Sequence, residues 1–429
     1  MSLDLTNPFI ITEEFFFLDT NEGYRGTITY DPTKGLFLSL KDLPLSYQHS
    51  SIKIMTCILD GDPYSGTLVN IIPQTSVFSG NRDGLTRTNS FVVDLVFFGK
   101  RFSGEKELLF NKVRFVYSNF REWLNKPNIS IPYTERDKIV TINKLPPIKG
   151  NLDDIFDFQI DIETWGSFPK ESFDILLKQG VTFTIISKKG KLSISKYLQM
   201  NKIVKYFFMF LQGRYVSEEN IFCEDQDNCS SSVELVQFYR RTIIPKKLEQ
   251  NEKFKHAYNV FKFEKSLQKW IGKYNEMPDF FDRFFENMMK DIQSPIDRFE
   301  NLYQTILSYQ NYKFPSTIRP KEEYTTFFNL IQNKLESEED KQFVERFRSL
   351  VNLFSPRQQM DKVFAQMDYL KVKKDRDSYV NNVIELRNRI EHATENISPT
   401  LLADASRMEY NLNSLISGLI LFEIEYDKL

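Results

Sequence analysis

Thr27-Ile28-Thr29-Tyr30, Asp31-Pro32-Thr33-Lys34-Gly35 and Leu36-Phe37-Leu38-Ser39-Leu40 follow one another without a break. Two β-prone runs flank a turn built of Asp, Pro and Gly, so the stretch predicts a β-hairpin. The same habit continues outward. Residues 91–98 form a β-branched and aromatic run that stops at Gly99. Val113, Phe115 and Tyr117 alternate with Arg114 and Val116, the period of a half-buried strand. Residues 181–186, bounded by Gly180 and Gly190, read as another strand. Glycine marks where this habit ends: of 16 glycines, 14 lie at or before Gly213, and only Gly272 and Gly418 follow. Strand-rich regions need glycine at their turns, whereas long helices exclude it.

The expected fold is therefore α+β: a β-rich N-terminal domain with interspersed helices, followed by an all-α helical bundle. Residues 195–211 are the clearest of the interspersed helices. Residues 216–232, with Glu218, Glu219, Asp225, Asp227 and Ser230-Ser231-Ser232, are expected to form a polar loop, and residues 233–241 a last strand. The boundary is placed near Pro245-Lys246-Lys247, giving domains 1–245 and 246–429. Helix starts recur after it. Ser294-Pro295-Ile296-Asp297 offers an N-cap, a proline at the first helical position and an acid in the first turn. Phe299, Leu302, Tyr303, Ile306 and Leu307 follow at helical spacing. Ser337 with Asp340 resembles a capping box ahead of Phe343, Phe347, Leu350 and Val351. Ser398-Pro399 opens a last helix, in which Leu401, Ala405, Met408, Leu412, Leu415, Leu419 and Phe422 recur at alternating fours and threes. That spacing suits a core helix of one bundle or a seam with a second subunit.

Composition narrows the class. At 429 residues the chain can bury two or three cores, and 41% hydrophobic with 27% charged residues describes an ordinary soluble protein. A net charge of −2 excludes a globally basic nucleic-acid coat and leaves a local basic site open. Cys57, Cys223 and Cys229 make no disulfide framework and no zinc spacing, so they read as free thiols. Residues 1–14 lack the basic start of a signal peptide, and the apolar run 415–422 is too short to span a bilayer. The expectation is a cytoplasmic protein without a membrane partner, metal or cofactor. Trp123, Trp165 and Trp270 read as core aromatics, and His49 and His256 as incidental, because neither has a partner at ligand spacing.

The third histidine is different. Tyr379, Val380, Val383 and Ile384 mark an apolar face, and the next position of that stripe is Arg387, where an aliphatic residue is expected. Arg387-Asn388-Arg389-Ile390-Glu391-His392 then closes the helix. A buried guanidinium needs a carboxylate, a phosphate or a solvated cleft. Glu391, four residues on, supplies a carboxylate for an ordinary pair worth about 0.3 kcal/mol, and His392 suits a helix end. The alternative is chemistry: arginine holds a phosphodiester while histidine moves a proton, with no metal. Asn388 and His392 share a helix face, whereas Arg387 and His392 stand about 140° apart on a continuous helix. One site holding both would need the helix to end before His392, or a second chain in a two-fold dimer.

Arg387-Asn388-x-x-x-His392, at the end of an amphipathic helix and before one more long helix, resembles the Arg-polar-x3-His motif of HEPN domains. Segments 23–30 with 35–38, 58–61 with 66–68, and Phe120-Arg121-Glu122-Trp123-Leu124 are similar to the N-terminal domain of ApeA-like anti-phage HEPN proteins. The resemblance implies a metal-independent endoribonuclease of abortive infection that acts as a homodimer. Its N-terminal domain would be a sensor or regulator answering a phage-derived trigger, and its substrate a structured RNA such as tRNA. It also implies roles: His392 as acid or base, Arg387 as phosphate stabiliser, and Asn388 as positioner, with Glu391 and Arg389 in support. Ala393 and Thr394 follow His392, so the family variants with a tyrosine there are not matched. The rival reading is a non-catalytic HEPN module that dimerises and binds RNA or nucleotide. A third makes the β-rich half the recognition element.

Overall fold

The computed structural model describes residues 7–17, 22–32, 34–43, 51–58, 65–81, 84–126, 129–130, 141–167, 176–224, 233–237, 263–290, 293–314, 317–348, 352–366, 373–393 and 397–424. The chain divides into two compact units, Met1–Ile271 and Gly272–Leu429. The architecture is α+β: strands dominate the first unit and helices the second.

The hairpin at Thr27 is present. β2 (Gly23–Asp31) pairs antiparallel with β3 (Gly35–Lys41), following β1 (Phe9–Phe17). The turn is closed by Lys34 N donating to Asp31 O at 3.1 Å, and Gly35 takes a φ of 104°, which favours glycine. With β4 (Ile52–Ile58), β5 (Ser65–Asn81) and β6 (Gly84–Phe98), these strands run β6-β3-β2-β1-β4-β5, and β5 pairs back onto β6. The circle closes into a six-stranded antiparallel barrel. Closure hides the strand edges, and alternate residues fill the interior. Phe15, Ile28, Leu36, Leu38, Met55, Leu68 and Phe91 are wholly buried there. Cys57 joins them, and burial pushes its thiol up to about 12, so it is an inert filler.

β6 also carries a second sheet. Residues 88–92 of its outer edge pair with β3, and residues 95–98 pair with β16 (Val233–Gln237). From there the sheet runs β15 (Glu218–Glu224), β8 (Lys112–Tyr117), β13 (Leu176–Ser187), β12 (Phe156–Ser167) and β11 (Ile148–Asn151). Short pairs β7 (Leu109–Phe110) with β14 (Leu192–Ser193), and β9 (Ile129–Ser130) with β10 (Thr141–Ile142), stand beside it. α1 (Phe120–Leu124) follows β8, and α2 (Ile194–Gln212) packs through Phe208 against Tyr117, Phe120 and Phe183. α2 is buried on nearly all sides because α3 (Phe263–Glu276) packs Phe263 and Trp270 against it, with Trp270 Nε1 donating to Ile203 O at 3.0 Å. This packing draws the start of α3 into the first unit, so the division falls after Ile271. The position expected from sequence, 245/246, lies outside the described residues, as do His49, His256 and Cys229.

The polar loop expected at 216–232 is overturned for residues 218–224, which form β15. Glu218, placed in that loop from sequence, is 6% exposed. Asn201 Nδ2 donates to its Oε1 at 2.6 Å and Lys205 Nζ to its Oε2 at 3.1 Å, while Tyr117 donates to Asn201 Oδ1. Sequence pattern missed it because the partners come from another element, and a charge so paired can be buried.

In the second unit, α5 (Pro295–Lys313) touches α4 (Pro278–Met288), α8 (Pro356–Phe364) and α10 (Pro399–Glu423), and α9 (Lys373–Glu391) bears on α8 and α10. α6 (Lys321–Lys334) and α7 (Glu338–Arg346) lie between α5 and α8 in sequence. Ser294 and Asp297 form the full capping box at α5, and Ser398 caps α10. Ser337 caps α7 by accepting from Glu339 N, not through a box with Asp340. Phe343 and Phe347, which follow that start, are exposed and rest on each other at 5.0 Å, and Leu350 and Val351 lie outside the described residues. Leu401, Ala405, Met408, Leu412, Leu415 and Leu419 are buried within this one chain, as a core helix requires; Phe422 is exposed.

Glu423 fixes the end of α10. Lys313 Nζ lies 2.7 Å and Lys273 Nζ 3.4 Å from its carboxylate, and Tyr309 donates to Oε1 at 2.6 Å. Burial alone would raise its pKa. The hydrogen bonds from Lys313 and Tyr309, with both lysine charges, outweigh it and hold the carboxyl below its ordinary value.

Two outcomes follow from this packing. A Cβ on Gly26 would stand 2.7 Å from Ser39 O and 2.5 Å from Leu40 Cδ2, so Gly26→Ala should destabilise the first unit by about 2 kcal/mol, read as an earlier urea transition. For Glu423, a folded pKa below the unfolded one gives stability that is full above the unfolded value, near 4.5, and is lost as pH falls through the folded value. Urea midpoints of the second unit should therefore drop from pH 6 toward pH 3, and Glu423→Gln, about 2 kcal/mol weaker at neutral pH, should flatten that dependence.

Candidate functional site

α9 is seated by its first half. Arg376 Nε reaches Asp361 Oδ1 of α8 at 2.6 Å, and the Tyr379 ring meets Phe364 edge-on at 5.1 Å. Its buried stripe is Val380, Val383 and Leu386. The helix phase thus turns Leu386, not Arg387, into the core, which corrects the position read from sequence. Three residues advance an α-helix by about 300° and four by about 400°, so the border of a stripe is decided by one position. Arg387 lies on that border, its side chain 31% exposed. Its guanidinium stands 5.4 Å from the centre of the Tyr303 ring, and it is ion-paired with Glu391. Burial pushes the Tyr303 hydroxyl up; the Arg387 charge opposes this and Glu391 adds to it.

His392 closes the helix. Its N–H still donates to Asn388 O at 3.0 Å, and Ala393 N then donates to Ile390 O at 3.1 Å, a tightened last turn. The His392 side chain is exposed. It borders an open cleft of about 610 Å³ lined by Arg357, Asn381, Ile384, Glu385, Asn388, Arg389 and His392. Asn381, Glu385, Asn388 and His392 follow one another at fours and threes, so one polar face of α9 makes one wall.

Of the residues singled out from sequence, the cleft brings together Asn388, Arg389 and His392. It does not include Arg387 or Glu391, which pair with each other to one side. Arg389 Nη1 also donates to Asp404 Oδ2 of α10 at 2.9 Å, and Arg407 shares that carboxylate at 3.2 Å. Sequence reasoning missed Arg357, Asn381 and Glu385. The polar spacing along α9 could have found the last two; Arg357 comes from α8, and no local pattern links it to His392. Among the described residues no group of three or more His, Cys, Asp or Glu side chains is arranged to hold a metal ion. No described helix is long and apolar enough to cross a membrane.

An exposed imidazole, an amide one turn earlier and two guanidinium groups, with the Glu385 carboxylate in the same lining, suit an anionic ligand handled by proton transfer. Comparison with known proteins adds the family. Residues 11–281 match the model of ApeA N-terminal domain 1, and the chain belongs to that family. The cleft lies beyond the matched residues. No curated protein and no solved structure matches the chain.

The Arg387–Glu391 pair is partly solvated at both ends. Removing the carboxylate charge with Glu391→Gln should therefore lower the stability of the second unit by no more than about 0.5 kcal/mol, measured by urea denaturation.

Proposed function

We propose that the chain is a metal-independent endoribonuclease of an abortive-infection, anti-phage defence system. Its C-terminal unit would be a HEPN-type nuclease domain and its N-terminal unit a sensor or regulator for a phage-derived trigger. The observation that carries this reading is the placement of His392, exposed on an open cleft with Asn388 one turn behind it. Membership in the ApeA N-terminal domain family supports the defence role.

In this mechanism His392 takes the proton from a ribose 2′-OH, and the oxygen attacks the adjacent phosphorus. The bond to the 5′-oxygen breaks, and a proton returned to that oxygen completes the step. The products are a 2′,3′-cyclic phosphate and a 5′-hydroxyl, and the need for a 2′-OH selects RNA over DNA. Asn388 orients the imidazole or donates to a phosphate oxygen. Arg387 stabilises the negative charge that develops on the phosphate. Within one chain Arg387 pairs with Glu391 and is not among the residues that line the cleft, so the complete site is composite in this reading: a homodimer brings Arg387 of one copy to His392 of the other. The contact with Glu391 is no obstacle, because a solvent-screened pair worth under about 1 kcal/mol is readily exchanged for a phosphate. Structured RNA such as tRNA is the candidate substrate.

The internal Arg387–Glu391 pair favours a second reading, a HEPN-like module that dimerises and binds RNA or nucleotide without turnover. Purified protein incubated with total tRNA in EDTA separates the two. Under the nuclease reading, wild type yields fragments ending in 2′,3′-cyclic phosphate, while His392→Ala and Arg387→Ala each lose at least about a hundredfold in rate. Binding with no cleavage by wild type supports the module instead.

A further inference from the structure

Building on the reading of His392 as the reacting histidine, we propose that Arg357 is the phosphate-binding cation of its cleft, gripping an RNA backbone phosphate from the same chain. The cleft has two cationic residues in its walls, Arg357 and Arg389. Arg389 is engaged by Asp404, which it meets at 2.9 Å and which Arg407 also contacts at 3.2 Å. Arg387, the arginine of the sequence motif, is held by Glu391 and lies outside the lining. Arg357 is exposed and makes no ion pair with any described residue. Among the described residues of the lining it is therefore the arginine with no carboxylate engaged in an ion pair.

Its setting strengthens the point. Arg357 occupies the first turn of α8, which contains no acid, and the adjacent capping box commits Ser355 and Gln358 to the backbone. A guanidinium beside the positive end of a helix dipole is electrostatically unfavourable unless an anion joins it. Glu385 is the one carboxylate in the lining, and it too makes no ion pair with a described residue. It stands as a repulsive element, so a phosphate would settle toward Arg357 and Asn388. An arginine offers two parallel N–H donors to a phosphate, a geometry lysine lacks.

The test is fluorescence anisotropy of the full chain with a fluorescein-labelled 2′-O-methyl RNA of mixed sequence, which cannot be cut by 2′-OH attack, across a salt series. Arg357→Ala should weaken binding about tenfold at 0.1 M salt and reduce the slope of log K against log salt by about 0.7, the value for one phosphate contact on a single strand. Arg357→Lys should keep that slope while recovering only part of the affinity. No binding by wild type, or equal affinity and slope in wild type and Arg357→Ala, overturns the proposal. Loss of affinity with an unchanged slope also overturns it, since that marks a structural effect. A parallel cleavage assay with unmodified RNA keeps the two claims apart. If His392→Ala cuts as wild type does while Arg357→Ala shows the binding defect, the reading of His392 fails and the phosphate site stands.

Discussion

Arg387 lies in the last turn of α9 and His392 directly follows its last residue, Glu391, so helical geometry sends the two side chains off the axis about 140° apart. The His392 N–H still donates to Asn388 O, so the start of that residue is placed by the last turn of the helix. This constraint separates an arginine that pairs with Glu391 over Tyr303 from a histidine that looks into the cleft. The composite site proposed above gathers the two residues from two copies, and the cation proposed for the cleft of one chain comes from another helix. Arg357, on a separate helix, lines the same cleft and is the residue proposed for that part.

What holds the cleft is the seating of α9 on α8 and α10. The Arg376–Asp361 and Arg389–Asp404 pairs tie it at both ends, and Val380, Val383 and Leu386 bury its inner face. α10 is in turn anchored by Glu423, whose buried carboxylate collects Tyr309, Lys313 and Lys273. Removing one partner of such a cluster costs more than the cluster contributes, because the remaining groups stay desolvated. The polar faces of α9 and α8 are consequently presented by helices that have little freedom to turn. A rigid support of this kind is what proton transfer and phosphate binding need.

Local patterns were legible and distant pairings were not. The hairpin at Asp31 to Gly35, the alternation of Val113, Phe115 and Tyr117, the Ser294 cap and the buried series of α10 are all written in neighbouring residues. Closure of the barrel through β5 and β6, and the sharing of β6 between two sheets, depend on which strands meet in space, and no short-range signal carries that. The burial of Glu218 was not legible because its partners, the Lys205 charge and the Asn201 amide donor, lie on another element. At the candidate site, the residue types at 387–392 were readable, but the phase of α9 was resolved wrongly by one position. Arg357 stands 35 residues before His392, and only folding brings it to the same cleft.

The central claim is that cleavage occurs at a composite site drawn from two chains, and subunit mixing tests it most directly. Arg387→Ala and His392→Ala proteins, each inactive alone, would be co-expressed in equal amounts with different tags and the mixed dimer purified. A composite site predicts that each mixed dimer regains one intact site of two, hence about half of the wild-type rate per dimer. A mixed dimer as inactive as its parents, or a wild-type chain that cleaves RNA as a monomer, would contradict the account.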